Sequence, residues 1–360
     1  MQASTALIWW YLNVLTKKRY DALKQVFGDL DTALPDLSFG MLRELGLQEA
    51  TARGVMVRLE EMDAARMLAD CAKAKVELVS IEDETYPEVL RNIGDPPIFL
   101  SYIGDLSLLS QPLVGIVGTR EMSQYGRRVV EAFVAPIVQA GVVTVSGLAL
   151  GVDAAVARET MHAGGRTIAV LGHGLRTIYP KSNEELAEEI VARGGLLLSE
   201  FPLDLPPEKY TFPARNRIIA GLSLGTLICE APDGSGSIIT AELALEYNRD
   251  VFAVPGPIFD GNFSGCHRLI SQGHAKLVTD PRQILEEIGI VAPESTLAAT
   301  YEPTSLEEAA VLEALTTMPQ NLDELIERSS LDAARIGTAL TMMELAGIVK
   351  NVGSGQWVRM

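Results

Sequence analysis

Between Val114 and Val254, short apolar runs alternate with stretches of helical spacing, and this alternation restricts the possible folds more than any other feature of the chain. Val114–Val117, Val142–Val145, Thr167–Leu171, Leu196–Ser199, Thr226–Cys229 and Val251–Val254 have the length and apolar character of fully buried strands. Tyr125–Ala140, Asp153–Ala163, Asn183–Arg193, Ala214–Ala220 and Ile238–Tyr247, which lie between them, read as helices. Strands buried on both faces and separated by helices are joined by right-handed crossovers. The spacing therefore predicts an α/β fold with a parallel, extended Rossmann-like sheet covered on both sides.

The flanks read differently. In residues 1–75 apolar positions such as Leu23, Val26 and Phe27, then Leu42, Leu45 and Leu47, fall at helical intervals between Gly28, Pro35 and Gly46. A run from Gln48 to Lys75 predicts one or two further helices. This is the pattern of a small all-α domain, similar to SAM-like or helix-hairpin-helix-like modules. The core is expected over residues 76–290. Residues 291–304, which contain two prolines and no period, are expected to be a linker. In residues 305–360, Ser305–Leu315, Leu322–Ser329 and Asp332–Ala346 read as helices, with Gly347 as the stop after the third. Ile348–Asn351 and Gln356–Arg359 can pair across Gly353-Ser354-Gly355, which completes a winged-helix-like order.

Charge narrows the function. The 360 residues include 30 Lys and Arg against 47 Asp and Glu, a net charge of −17. Residues 1–75 are balanced at ten of each sign and residues 305–360 hold eight acids and four bases, so most of the excess lies in the core. A chain this acidic repels polyanions overall, and binding to nucleic acid requires a local cluster of Arg and Lys. Three cysteines and four scattered histidines supply neither a disulfide framework nor a metal site, and no cofactor is expected. Ala132–Val152 is uncharged and long enough to span a membrane. Its Pro136, Gln139, Gly141, Ser146, Gly147 and Gly151 fit a helix, a turn and a strand better. With no basic segment or cleavage signal at the start, a cytoplasmic protein with no membrane partner is expected.

Ligands of open α/β sheets bind at the carboxyl ends of the strands. Here those ends carry GIVGTR (Gly115–Arg120), SGLALGVD (Ser146–Asp153), LGHG (Leu171–Gly174) and EAPDGSGSIITA (Glu230–Ala241). Small residues let the backbone approach an anion, and helix N-termini that follow can cradle it. Several such loops on one edge, with Arg120 and the Arg215–Arg217 pair, point to an extended, phosphate-rich ligand. Neither a Gly-x-Gly-x-x-Gly turn nor a Gly-Lys-Ser/Thr tripeptide is present, so neither a dinucleotide nor a P-loop nucleotide is indicated. No serine has an evident histidine partner, and His173 reads as a loop residue bonded to backbone. Glu200 and Glu230, both at strand ends, could form a carboxylate pair.

These motifs resemble the DNA-processing protein A (DprA, or Smf) family. The resemblance covers YPEVLRNIGDPPIFLSYIGD (Tyr86–Asp105), VGIVGTREMSQYG (Val114–Gly126), TIAVLGHGLRTIYPKSNEEL (Thr167–Leu186) and LLLSEFPLDLPPEKYTFPARNRIIAGLS (Leu196–Ser223). It continues through EAPDGSGSIITAELALEYNRDVFAVPGPI (Glu230–Ile258). The resemblance implies a non-enzymatic homodimer that holds single-stranded DNA in a positive pocket. It also implies that the dimer protects incoming DNA and loads the RecA recombinase in natural transformation and homologous recombination. Matched residue by residue, the DNA pocket would use Gly118, Thr119, Arg120, Ser146, Gly147, Lys181, Arg215, Asn216, Arg217, Ser235, Gly236 and Ser237. Lys209 could add charge, and Asp153 is expected to cap a helix. Few exposed aromatics are expected, so contacts to the strand's backbone should dominate. Ala157, Arg176 and His267 depart from the family pattern; Arg176 could strengthen phosphate binding. The alternative is a Rossmann-type nucleotide hydrolase of the lysine-decarboxylase-like type, with Glu230 as its acid. The third helix of the winged-helix-like domain has Asp332 and Glu344 against one Arg335, which disfavours duplex reading.

Overall fold

A computed structural model describes residues 1–291, 303–316, 319–353 and 355–359. Nine strands among them form one sheet: β1 (Glu77–Ser80), β2 (Phe99–Gly104), β3 (Leu113–Val117), β4 (Val143–Ser146), β5 (Thr167–Val170), β6 (Leu196–Ser199), β7 (Gly225–Ile228), β8 (Asp250–Ala253) and β9 (Lys276–Leu277). Their spatial order is β1-β2-β6-β5-β4-β3-β7-β8-β9. The six expected strands are β3 to β8, each displaced by at most one residue at either end. From β6 across to β9 neighbours run parallel. The expected parallel sheet of β3 to β8 is thus present, and it is extended at one edge by two strands the alternation did not mark, β2 antiparallel to β6 and β1 antiparallel to β2. Antiparallel neighbours need no helical crossover, so this edge lacks the strand–helix alternation that marks the rest.

Side chains alternate between the two faces of a strand, and β3 shows the consequence. Val114 and Ile116 enter a core with Val129, Val130 and Phe133 of α8 (Gln124–Gln139) and Val152 and Val156 of α9 (Val152–His162). Leu113 and Val117 join the larger core on the opposite face, which includes Ile218 and Ile219 of α11 (Thr211–Leu222) and Ile238 of α12 (Gly236–Glu246). Both faces are therefore covered. Helix α10 (Glu184–Ala192) connects β5 to β6, and α13 (Ser264–Ser271) and α14 (Arg282–Glu287) follow β8 and β9.

Helices α1 (Ala3–Leu12), α2 (Lys17–Phe27), α3 (Leu30–Ala33), α4 (Phe39–Glu44), α5 (Glu49–Glu61) and α6 (Ala64–Lys73) precede the sheet, and α7 (Glu88–Arg91) lies between β1 and β2. Trp9, fully buried, donates its indole N–H to the Leu30 carbonyl at 3.2 Å. The next indole, Trp10, donates to the Glu200 carbonyl at 3.1 Å, and Tyr20 donates to the Glu82 carboxylate at 2.6 Å. The described residues up to 291 form one compact unit and those from 303 onward a second. No described helix is long and apolar enough to cross a membrane.

The second unit holds α15 (Leu306–Ala314), α16 (Leu322–Ser329) and α17 (Ala333–Leu345), then the hairpin β11 (Val349–Gly353) and β12 (Gln356–Arg359). A two-residue strand, β10 (Gln320–Asn321), adds to β12 and completes a three-stranded wing. Gly347 follows α17 at φ +72°, a left-handed conformation suited to glycine. Most of the expected linker, residues 292–302, lies outside the described residues, as does Ser354 of the hairpin turn.

Candidate nucleic-acid interface

The chain leaves β3 in one direction through β4, β5 and β6, then returns to place β7 on the other flank of β3. The crevice at the carboxyl ends of β3 and β7 is thus a topological switch point. A cavity of about 790 Å³ opens there. Its walls come from the loops after β3, β4, β5 and β7 and from the amino-terminal half of α11. Helices α11 and α12, of twelve and eleven residues, both begin at this cavity, with Phe212 of the first and Gly236 and Ser237 of the second among its lining. Their N-termini contribute partial positive charge to it.

Eight of the twelve residues expected in the pocket line this cavity: Gly118, Thr119, Arg120, Arg215, Asn216, Ser235, Gly236 and Ser237. Their roles separate. Arg120 is exposed, and its guanidinium stands over the Phe212 ring, 5.4 Å from the centroid. Tyr179, 47% exposed, lies 5.9 Å from Phe212 between ring centroids, and exposed Lys209 lines the same space. Arg215, by contrast, is only 4% exposed. It donates to the Gly147 carbonyl at 2.7 Å and to the Val170 carbonyl, so it ties the end of β4 to β5. Burial pulls its guanidinium down to about 10, with Asp153 opposing that fall, and leaves it charged at neutral pH. Asn216 donates to the Gly236 carbonyl at 3.0 Å, and Ser235 caps α12.

The other four lie elsewhere. Ser146 is buried and donates to the Ile116 carbonyl at 2.8 Å. A Cβ on Gly147 would meet the Arg215 guanidinium at 2.3 Å, so this glycine makes room for the buried arginine. The N–H of Gly147 binds Asp153, whose carboxylate also accepts from Ala149 and so braces the turn after β4. Arg217 points away from the cavity and pairs with Glu200. Lys181 is exposed beside Ser182 and outside the cavity wall.

Several residues set aside on sequence take defined places. Glu230 is fully buried, and its carboxylate accepts from the Ser123 N–H and hydroxyl at the start of α8, which leaves it outside the cavity wall. His173 is buried between the Gly174 carbonyl at 2.9 Å and the Tyr179 N–H at 3.3 Å. Arg176 pairs with Asp204, outside the cavity wall, rather than extending the pocket. His267 bonds to the Gly256 carbonyl at 3.0 Å, and Ala157 is buried. The few aromatics expected at the ligand edge are Tyr179 and Phe212. Both sit in stretches rich in small and charged residues, where no periodicity marks an aromatic as outward-facing.

Comparison with known proteins agrees with this fold. The family described as DNA recombination-mediator protein A matches residues 77–289, and the DprA winged helix domain matches residues 295–355. Protein Smf of Escherichia coli is 40% identical over 285 residues, covering 77% of this chain and 76% of its own length. DNA processing protein DprA of Streptococcus pneumoniae is 47% identical over 208 residues, covering 58% of this chain and 73% of its own length. The crystal structure of DprA from Streptococcus pneumoniae superposes with a TM-score of 0.67 at 40% identity, over 80% of this chain and 99% of that one. DNA processing protein A from Helicobacter pylori, described for its single-stranded DNA binding mode, superposes with a TM-score of 0.54 at 31% identity, over 60% and 97% of the two chains. Sequence, sheet order and winged helix together place this chain in the DprA family of DNA recombination-mediator proteins.

Proposed function

We propose that the crevice between β3 and β7 holds single-stranded DNA, and that the protein, as a cytoplasmic homodimer, protects incoming strands and hands them to RecA in natural transformation and recombination. One observation carries the binding step. Arg120, which among the described residues has no carboxylate within 4 Å, stacks on Phe212, with Tyr179 and Lys209 alongside, above two helix N-termini. Arg and the helix ends suit phosphates, whereas the two rings suit unpaired bases. In a duplex those base faces are stacked inside, so the site favours a single strand. Of the three acids of the wall, Asp153 binds backbone amides and Asp233 pairs with Arg268 at 2.8 Å, which leaves exposed Glu121 as the one acid facing the strand. A non-catalytic role fits Glu230, the acid on which nucleotide hydrolysis would depend, because its buried carboxylate is engaged by the N–H and hydroxyl of Ser123, the N-cap of α8. The RecA and dimer surfaces rest on the family alone.

Anisotropy titrations of labelled oligothymidylate against duplex of equal length test the binding step. Phe212→Ala should weaken single-strand binding by roughly five- to hundredfold, the range for one lost base stack. Arg120→Ala should weaken it and make the log–log salt slope shallower by about 0.7. Equal affinity of the wild type for both DNA forms, or full affinity in both variants, would refute the assignment.

A further inference from the structure

Arg120 belongs to two cavities. On its other side lies a groove of about 540 Å³ bounded by the loop after β3, the turn after β4 and the first turns of α8 and α9. Arg127 of α8 and Arg158 of α9 face it, and both are exposed. Among the described residues neither has a carboxylate within 4 Å or a side-chain hydrogen bond. Exposed Arg66 and Arg328, each far from this groove in sequence, share that state. With 47 acids against 30 bases, most surface arginines have found partners, as Arg53, Arg91, Arg166, Arg193, Arg268 and Arg282 show. Glu121, Glu131 and Glu159 also border the groove, and Glu159 lies 3.7 Å from His162. The far end is closed by Ser182 and Asn183, next to exposed Lys181. The Asn183 amide donates to the Leu148 and Ala149 carbonyls, which ties this end to the turn shared by the two cavities.

We infer that this groove is a second DNA subsite, in which Arg127 and Arg158 hold phosphates of the same strand after it has crossed Arg120. The inference rests on the reading of the first cavity given above and adds a direction to it: the strand leaves the β3–β7 crevice across the start of α8 toward Lys181. Among the described residues no aromatic side chain lines the groove, so it takes phosphodiester and not bases. Its contribution is sequence-independent and appears only when the strand is long enough to occupy both cavities.

The test compares the full-length wild type, the Arg127→Ala/Arg158→Ala double variant and Arg120→Ala on oligothymidylates of about 5 and about 20 nucleotides, over a salt series. Both added substitutions are at exposed positions, where stability changes little. The double variant should bind the short strand like the wild type and lose roughly tenfold or more on the long one. On the long strand its salt slope should be shallower by about 1.4, the value for two phosphates on a single strand. Wild-type affinity on both lengths would overturn the second subsite, and so would an equal loss on both. If Arg120→Ala instead binds both lengths normally, the first cavity is misassigned and this inference falls with it.

Discussion

Arg120 and Arg215 are indistinguishable as sequence signals, since each is an arginine in a motif at the ligand edge, yet burial gives them opposite jobs. Removing Arg120 takes away an exposed side chain whose ring contact contributes about 0.5–1 kcal/mol. Removing Arg215 strips two buried carbonyls of their donor and leaves buried Asp153 without its nearby positive charge. Arg215→Ala should therefore destabilise by about 3 kcal/mol or more, whereas Arg120→Ala stays under about 1 kcal/mol. Urea unfolding of the two variants separates the roles, and similar losses would contradict them. His173 adds a pH dependence. Burial holds its imidazole below the usual histidine range, and its two bonds use the ring with Nδ1 donating and Nε2 accepting from Tyr179. The unfolded chain takes up that proton near pH 6.5 and the folded chain only at lower pH. The contribution is thus complete above pH 6.5 and is lost as pH falls toward the folded value, with a slope of up to about 1.4 kcal/mol per pH unit. Between pH 7.5 and 5.5 the wild type should lose more stability than His173→Gln. Equal losses would mean that the imidazole charges freely within the fold.

Elements were legible where sequence pattern and burial coincide. Strands β3 to β7 are buried along their whole length, and β8 in all but its first residue, so each shows as a short, mostly apolar run. Strands β1 and β2 lack that signature, because Glu77 is exposed and the outer half of Phe99–Gly104 is only partly covered. Strand β9 is two exposed residues whose pairing with β8 leaves no trace in composition. The same limit applies to the site. Loops that carry it were visible as glycine-rich strand ends, but which side chains enter it was not. Arg215 and Arg217 are two residues apart on α11, about 200° around the axis, so one faces the crevice while the other meets Glu200. Helical geometry alone allows one of them at most in the pocket, and it does not say which. Phe212 was inside a motif already singled out, and its meaning came only from Arg120 standing over it. Ser146 and Gly147 act one step back, holding the arginine and the turn behind the cavity wall.

At the scale of the whole molecule, a polyanion taken up by so acidic a chain needs a local group of cations not already paired with carboxylates. Arg120, Lys209, Arg127 and Arg158 line the two cavities at the carboxyl end of the sheet, and among the described residues none of the four has a carboxylate within 4 Å, although Glu121, Glu131 and Glu159 border the groove. Among the described residues the winged helix unit offers no comparable cluster. Arg335 is the single basic residue of α17, and it lies 3.5 Å from Asp332, which also caps the helix. Glu344 near the other end accepts from the Asn351 N–H. A helix with its one cation neutralised and both ends flanked by acid has nothing to place against the phosphates of a major groove. The two units also have separate hydrophobic cores, one built on Val311, Leu325, Ile336 and Met343 and the others on the sheet. A chain ending at residue 291 should therefore fold and bind a 20-nucleotide oligothymidylate within about twofold of the full chain, with the same salt slope, because no unpaired cation of the DNA track has been removed. A tenfold drop, or a slope shallower by about 0.7 or more, would show that the winged helix supplies phosphate contacts of its own. The inference that the DNA track is confined to the sheet edge would then be wrong.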